Sequence, residues 1–133
     1  MTQRILVVDD EPGICHVLRS VLLDEAYSVE TAMSAKEALN KLAVAPFDLA
    51  IVDLYLPGVN GLQLAEAIRF LDPQTPIILM TAYGSQDLQK KVLAFGGCGY
   101  LEKPFSPAEL NEVIEEMWGH MGCLHQGPIN AVA

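Results

Sequence analysis

The chain has 133 residues, enough for one domain whose core needs neither disulfides nor a structural metal. Hydrophobic residues make up 51% and charged ones 19%, an ordinary balance for a compact soluble α/β domain. The net charge of −9 repels phosphate backbones and anionic lipid, which argues against nucleic-acid binding by this chain and against a membrane surface. No apolar run approaches the ~20 residues that span a bilayer.

Ile5-Leu6-Val7-Val8 is a short aliphatic run without polar alternation, the pattern of a strand buried on both faces of a parallel sheet. It begins too near Met1 to leave room for a signal peptide. Pro12 suits a first helical turn, and Ile14, Val17, Leu18, Val21 and Leu22 form one helix face. Tyr27–Ala32 reads as a second strand. Ser34 and Glu37 form a capping box before Ala38, Leu39 and Leu42. Leu49-Ala50-Ile51-Val52 is a third strand, broken off by Pro57-Gly58, and a helix through Leu64, Ala65 and Ile68 follows.

Pro73 and Pro76 bracket the turn into a fourth strand, Ile77-Ile78-Leu79-Met80. A helix over about Ser85–Phe95 has a thin apolar stripe of Leu88, Val92 and Phe95, and Gly96-Gly97 stops it. A short fifth strand ends near Tyr100-Leu101-Glu102. Ser106, Pro107 and Glu109 then open a helix with core residues Leu110, Val113, Ile114 and Met117, and Trp118 closes its end. Five such β–α units predict a doubly wound α/β fold, one five-stranded parallel sheet with helices on both faces. Residues 1–118 form the domain, and 119–133, rich in glycine and without periodicity, read as a flexible tail. Cys15, Cys98 and Cys123, odd in number and without CxxC spacing, read as reduced thiols of a cytoplasmic protein.

The strand ends carry the chemistry. The first run stops on Asp9-Asp10, the third on Asp53 and the fourth on Thr81, and Lys103-Pro104 follows the fifth. Parallel strands share one C-terminal rim, where ligands of open α/β sheets bind. Three carboxylates gathered there repel one another and raise at least one pKa unless a hard cation such as Mg²⁺ neutralises them. The set suits phosphoryl transfer, with Asp53, alone at its strand end, as nucleophile. Asp9 and Asp10 are better placed to hold metal, Lys103 to supply positive charge, and Thr81 to donate a hydrogen bond.

With Val7-Val8-Asp9-Asp10-Glu11, Asp53 ahead of Leu56-Pro57-Gly58 and Gly61, Met80-Thr81-Ala82 and Tyr100-Leu101-Glu102-Lys103-Pro104-Phe105, the chain from about Arg4 to Trp118 resembles the receiver domain of two-component response regulators. The resemblance implies the strand order 2-1-3-4-5 and a cis Lys103–Pro104 peptide. It also implies that Asp53 accepts a phosphoryl group from a sensor histidine kinase. Mg²⁺ would be held by Asp10, Asp53 and the Tyr55 carbonyl, with Asp9 acting through water. Thr81 and Lys103 would contact the phosphoryl group, and Tyr100 would be the aromatic switch. The surface formed by the fourth helix, fifth strand and fifth helix is then the expected output face. Its partners are a second receiver or a downstream output protein or domain.

Three rival readings fit less well. An aspartyl-phosphate hydrolase of small phosphoesters usually carries an aspartate two residues after its nucleophile, where this chain has Tyr55. A flavodoxin-like cofactor domain needs a Ser/Thr/Gly-rich phosphate loop where this chain has Asp9-Asp10-Glu11. An unphosphorylated docking module has no use for a complete acidic site. Tyr55 and Tyr83 border the expected approach of hydrolytic water; they read either as surface tyrosines without a kinetic role or as bulk that hinders water and lengthens the phosphoryl lifetime. His16 reads as a packed or solvated helix residue. His120, Cys123 and His125 lack a fourth ligand and read as tail residues, not a soft-metal site.

Overall fold

The computed structural model describes residues 2–82, 84–96 and 98–121, the side chains of 120 and 121 excepted. Five strands, β1 (Arg4–Val8), β2 (Ser28–Ala32), β3 (Leu49–Asp53), β6 (Ile77–Thr81) and β7 (Cys98–Glu102), form one parallel sheet in the order β2-β1-β3-β6-β7. With the short ribbon of β4 (Tyr55–Leu56) and β5 (Val59–Asn60) set aside, this is the expected 2-1-3-4-5 order of a flavodoxin-like fold. The helices are α1 (Pro12–Asp24), α2 (Ala35–Val44), α3 (Gly61–Leu71), α4 (Gln86–Phe95) and α5 (Pro107–Met121).

Uninterrupted aliphatic runs became strands because both faces of this sheet are covered. Leu6, Val8, Ala50, Val52, Ile77 and Leu79 face the core shared with α2, α3 and α4. Their neighbours Ile5, Val7, Leu49, Ile51, Ile78 and Met80 face the core shared with α1 and α5. All twelve have no exposed surface. At about 1.5–3 kcal/mol for each large aliphatic side chain, this double layer is the main force holding the strand ends in one plane.

The chain between Asp53 and α3 does more than break. Tyr55–Leu56 (β4) and Val59–Asn60 (β5) pair antiparallel around Pro57-Gly58, with Gly58 at φ 78°. Asn60 then caps α3, accepting from the Gln63 N–H while the Gln63 side chain accepts from the Asn60 N–H. Gly61 follows because no side chain fits: a Cβ there would lie 2.5 Å from the Asp53 carbonyl oxygen and 2.6 Å from the Leu54 Cα. The start of α3 is thereby held against the backbone of Asp53.

Other helix signals resolve individually. Ser106 and Glu109 form the expected reciprocal cap. Ser34 accepts from the Glu37 N–H, but the Glu37 carboxylate accepts from the Met33 N–H, not from Ser34, so that box is open on one side. The second strand begins at Ser28, one residue after the expected start. The fifth helix runs to Met121, past the boundary drawn at 118, and residues 122–133, with Cys123 and His125, lie outside the described residues. Trp118 does close that end, donating from Nε1 to the Tyr27 hydroxyl at 3.0 Å. Cys15 and Cys98 are free buried thiols.

Helix α4 is the least embedded. Val92 is its one fully buried residue, with Leu88 and Phe95 partly covered. Its C-terminal end is held by Arg69 of α3, which donates to the carbonyls of Phe95 (3.2 Å) and Gly96 (2.9 Å) and stacks on the Phe95 ring. No helix among the described residues is long and apolar enough to cross a membrane.

Candidate metal centre at the strand ends

The common rim brings the predicted acids together. One carboxylate oxygen from each of Asp9, Asp10 and Asp53 lies within 4.8 Å of the others. Asp9 has no exposed surface, Asp53 is 5% exposed and Asp10 is half-buried.

The two buried carboxylates are held in matching fashion. Asp9 accepts the Glu11 N–H on Oδ1 (2.9 Å) and the Lys103 ammonium on Oδ2 (2.6 Å). Asp53 accepts the Tyr55 N–H on Oδ1 (3.0 Å) and the same ammonium on Oδ2 (3.2 Å). In each case the amide two residues further on fixes one oxygen, and Lys103 crosses the rim to reach the other. The cis Lys103–Pro104 bond lies directly after β7, and the Lys103 N–H donates to the Thr81 carbonyl at 2.8 Å. Thr81, the last residue of β6, is fully buried beside it.

Burial pushes the Asp53 carboxyl up from its ordinary range, against the opposing pull of the Tyr55 N–H and the Lys103 charge. The direction is the one expected from gathered acids, but burial is the main cause and the neighbouring Asp9 charge a smaller one. Burial alone would lower the Lys103 ammonium. Its hydrogen bond to Asp9, with the charges of Asp9 and Asp53, carries it above the ordinary lysine value instead. Three carboxylates and one ammonium leave two negative charges at the rim.

A divalent cation fits that donor set. Oxygen is the ligand Mg²⁺ prefers, and Mg–O bonds of about 2.0–2.1 Å put neighbouring ligand oxygens about 3–4 Å apart. Carboxylate rotations of less than about 1 Å bring the three oxygens into that range. Among the described residues no lysine and no backbone amide hydrogen-bonds the half-buried Asp10 carboxylate, which suits it to a cation.

Tyr100 is buried in the α2/α3/α4 core with its hydroxyl 3.3 Å from Glu102 Oε2. Burial, then the neighbouring Glu102 charge, pushes its phenol up to about 12. Tyr55 is half exposed at the mouth of the site. His16 is exposed on α1, away from the cluster, as expected of a solvated residue. Tyr83 lies outside the described residues. Sequence reading gave Glu11 and Cys15 no part in the site. The Glu11 carboxylate lies 3.9 Å from Lys103 Nζ, and the Cys15 thiol donates to the Asp9 carbonyl at 3.3 Å. A thiol one turn into the helix after the acids was the available signal.

Comparison with known proteins agrees with this geometry. Residues 5–115 match the response regulator receiver domain model. The response regulator protein PilR of Pseudomonas aeruginosa is 39% identical over 112 residues, 84% of this chain and 25% of that protein. The chain spans about a quarter of the length of the first curated relatives it matches. A CheY-like receiver domain protein from Methanospirillum hungatei superposes with a TM-score of 0.85 at 34% identity, covering 93% of this chain and 99% of that one. The response regulator TrrA of Thermotoga maritima, solved in complex with Mg²⁺ and BeF, matches with a TM-score of 0.78 at 37% identity, over 87% and 99% of the two chains. The site and the match over most of its length place this chain in the response regulator receiver domain family.

Proposed function

We propose that Asp53 is the phosphoryl acceptor. Its carboxylate oxygen attacks the phosphorus of a phosphohistidine on a sensor kinase, the P–N bond breaks, and an acyl phosphate forms on Asp53. The observation that carries this is the buried Asp53 carboxylate, aimed by the Tyr55 amide and faced by Lys103. A Mg²⁺ ion, when bound, supplies the charge neutralisation that lets two anions approach. Asp10, Asp53 and the Tyr55 carbonyl are the residues to hold it, with Asp9 acting through water.

Lys103 moves from bridging two carboxylates to contacting the incoming phosphoryl oxygens, and the Thr81 hydroxyl donates to another. Tyr100 is the ring that responds. Driving a two-state equilibrium from 1:99 to 99:1 takes about 5.5 kcal/mol of differential interaction. A charge-assisted hydrogen bond to Thr81 and the Lys103 contact supply much of it. The lightly embedded α4, with β7 and α5, forms the output face toward a second receiver or a downstream output protein or domain. The protein assists its own modification and does not turn over free phosphoesters, since Tyr55 offers no general acid beside Asp53. A cytoplasmic setting accords with these roles.

Intact-mass measurement after incubation with acetyl phosphate and Mg²⁺ tests the reading. One added phosphoryl group, absent in Asp53→Asn and without Mg²⁺, is the expected result. An unmodified protein would end it.

A further inference from the structure

The sequence reading left Glu102 without a role, yet it sits at the junction of the site and the switch. Glu102 ends β7 opposite Thr81 in the sheet register and directly precedes Lys103. Its carboxylate accepts the Tyr100 hydroxyl at 3.3 Å, two residues back on the same strand. Both groups reach toward the turn between β6 and α4, where Gly84 lies. A Cβ on Gly84 would collide with the Glu102 carboxylate and come 2.8 Å from the Tyr100 hydroxyl. Glycine at 84 is therefore what makes room for this pair.

We propose that Glu102 is a positioning residue for the switch: its carboxylate, seated in the space Gly84 leaves, holds the Tyr100 ring in its buried position. The ring lies in one apolar cluster with Leu54, Leu56, Val92 and Cys98, so the polar groups that meet its O–H at the cluster's edge decide whether it stays in. Glu102 supplies that acceptor from solvent's edge, where it gives way at low cost when the ring moves. Gln89 of α4 also faces the hydroxyl, so loss of Glu102 weakens the hold without abolishing it. One dipeptide thus joins the two ends of the signal: Lys103 reads the acids, and Glu102 retains the ring.

The proposal rests on the reading of Tyr100 as the moving ring, and the test separates the two. The chain has four tyrosines, so uniform 3-fluorotyrosine labelling gives few ¹⁹F resonances, and Tyr100→Phe identifies the one of interest. In the unphosphorylated wild type that resonance should be insensitive to exchange of H₂O for D₂O. In Glu102→Ala the ratio of buried to exposed ring should fall roughly three- to tenfold, the worth of one net hydrogen bond. Gly84→Ala, which keeps the carboxylate but displaces it, should shift the same resonance in the same direction. A Tyr100 resonance that stays put in both variants, with wild-type unfolding midpoints, overturns the proposal. If Glu102→Ala moves the ring while Mg²⁺ with beryllofluoride leaves the wild-type resonance unchanged, Glu102 holds the ring as proposed and the switch role of Tyr100 falls.

Discussion

Replacing Lys103 with methionine keeps the aliphatic stem and deletes the ammonium that faces both buried acids. The Lys103 side chain is 10% exposed, and its partners Asp9 and Asp53 are 0% and 7% exposed at the side chain. Removing one member of such a buried set costs about 3–5 kcal/mol, because the carboxylates left behind keep their backbone amides but lose their counter-charge in a site with little water. Repulsion gives a similar figure: two carboxylate charges 4.8 Å apart or less repel by about 3.5 kcal/mol at an effective dielectric of ~20. At about 4 °C per kcal/mol for a domain of this length, Lys103→Met should lower Tm by about 12–20 °C at pH 7. The deficit should shrink toward pH 5, as protonation of Asp53, already raised, relieves the repulsion. Added Mg²⁺ should narrow it as well. In the wild type the Lys103 contribution has the opposite dependence. Its folded pKa lies above the unfolded value of 10.5, so that stability is complete below 10.5 and is lost as pH rises through the folded value. Thermal unfolding followed by circular dichroism across pH measures all of this. A fall of less than about 4 °C, the same at pH 5 and 7, would refute the claim that Lys103 balances these acids.

Asp53→Asn should stabilise the unphosphorylated protein at neutral pH. The raised folded pKa of Asp53 means its contribution is favourable below 3.8 and is lost as pH rises through the folded value; a lower Tm for the variant at pH 7 would contradict this. Mg²⁺ should raise the wild-type Tm, by about 2.7 kcal/mol of stability at a hundredfold excess over Kd, and Asp10→Asn should abolish most of the rise in a calorimetric titration. Asn60→Ala removes the cap of α3 behind Asp53 and should cost about 1 kcal/mol in urea unfolding, with an unchanged m-value. Tyr55→Ser, at the half-exposed mouth of the site, should speed decay of the acyl phosphate, and an unaltered decay rate would remove Tyr55 from any kinetic role.

Much of this molecule was legible before folding. Strands buried on both faces leave continuous aliphatic runs, and parallel strands bring the residues after those runs to one rim, so Asp9, Asp10, Asp53, Thr81 and Lys103 could be placed from order alone. What stayed hidden has specific causes. Strands of two residues, Tyr55–Leu56 and Val59–Asn60, carry no periodicity, so the ribbon that fixes the approach to α3 read as a plain break. Glu37 satisfies Met33 and not Ser34, a choice between neighbouring amides that spacing cannot express. Gly119 permits a helix as readily as it ends one, and α5 continues through it. The Arg69 hold on α4 and the Trp118–Tyr27 bond join residues 26 and 91 positions apart. Glu102 looked like a spacer before Lys103-Pro104, and only the crowding at Gly84 gives its carboxylate a function.

Locating the phosphorus on the chain is the sharpest trial of the account. After reaction with acetyl phosphate and Mg²⁺, borohydride reduction of the acyl phosphate followed by peptide sequencing should find the reduced residue at 53, with Asp9 and Asp10 intact. A label on any other residue, or equal labelling when Asp10 is replaced by asparagine, would contradict it.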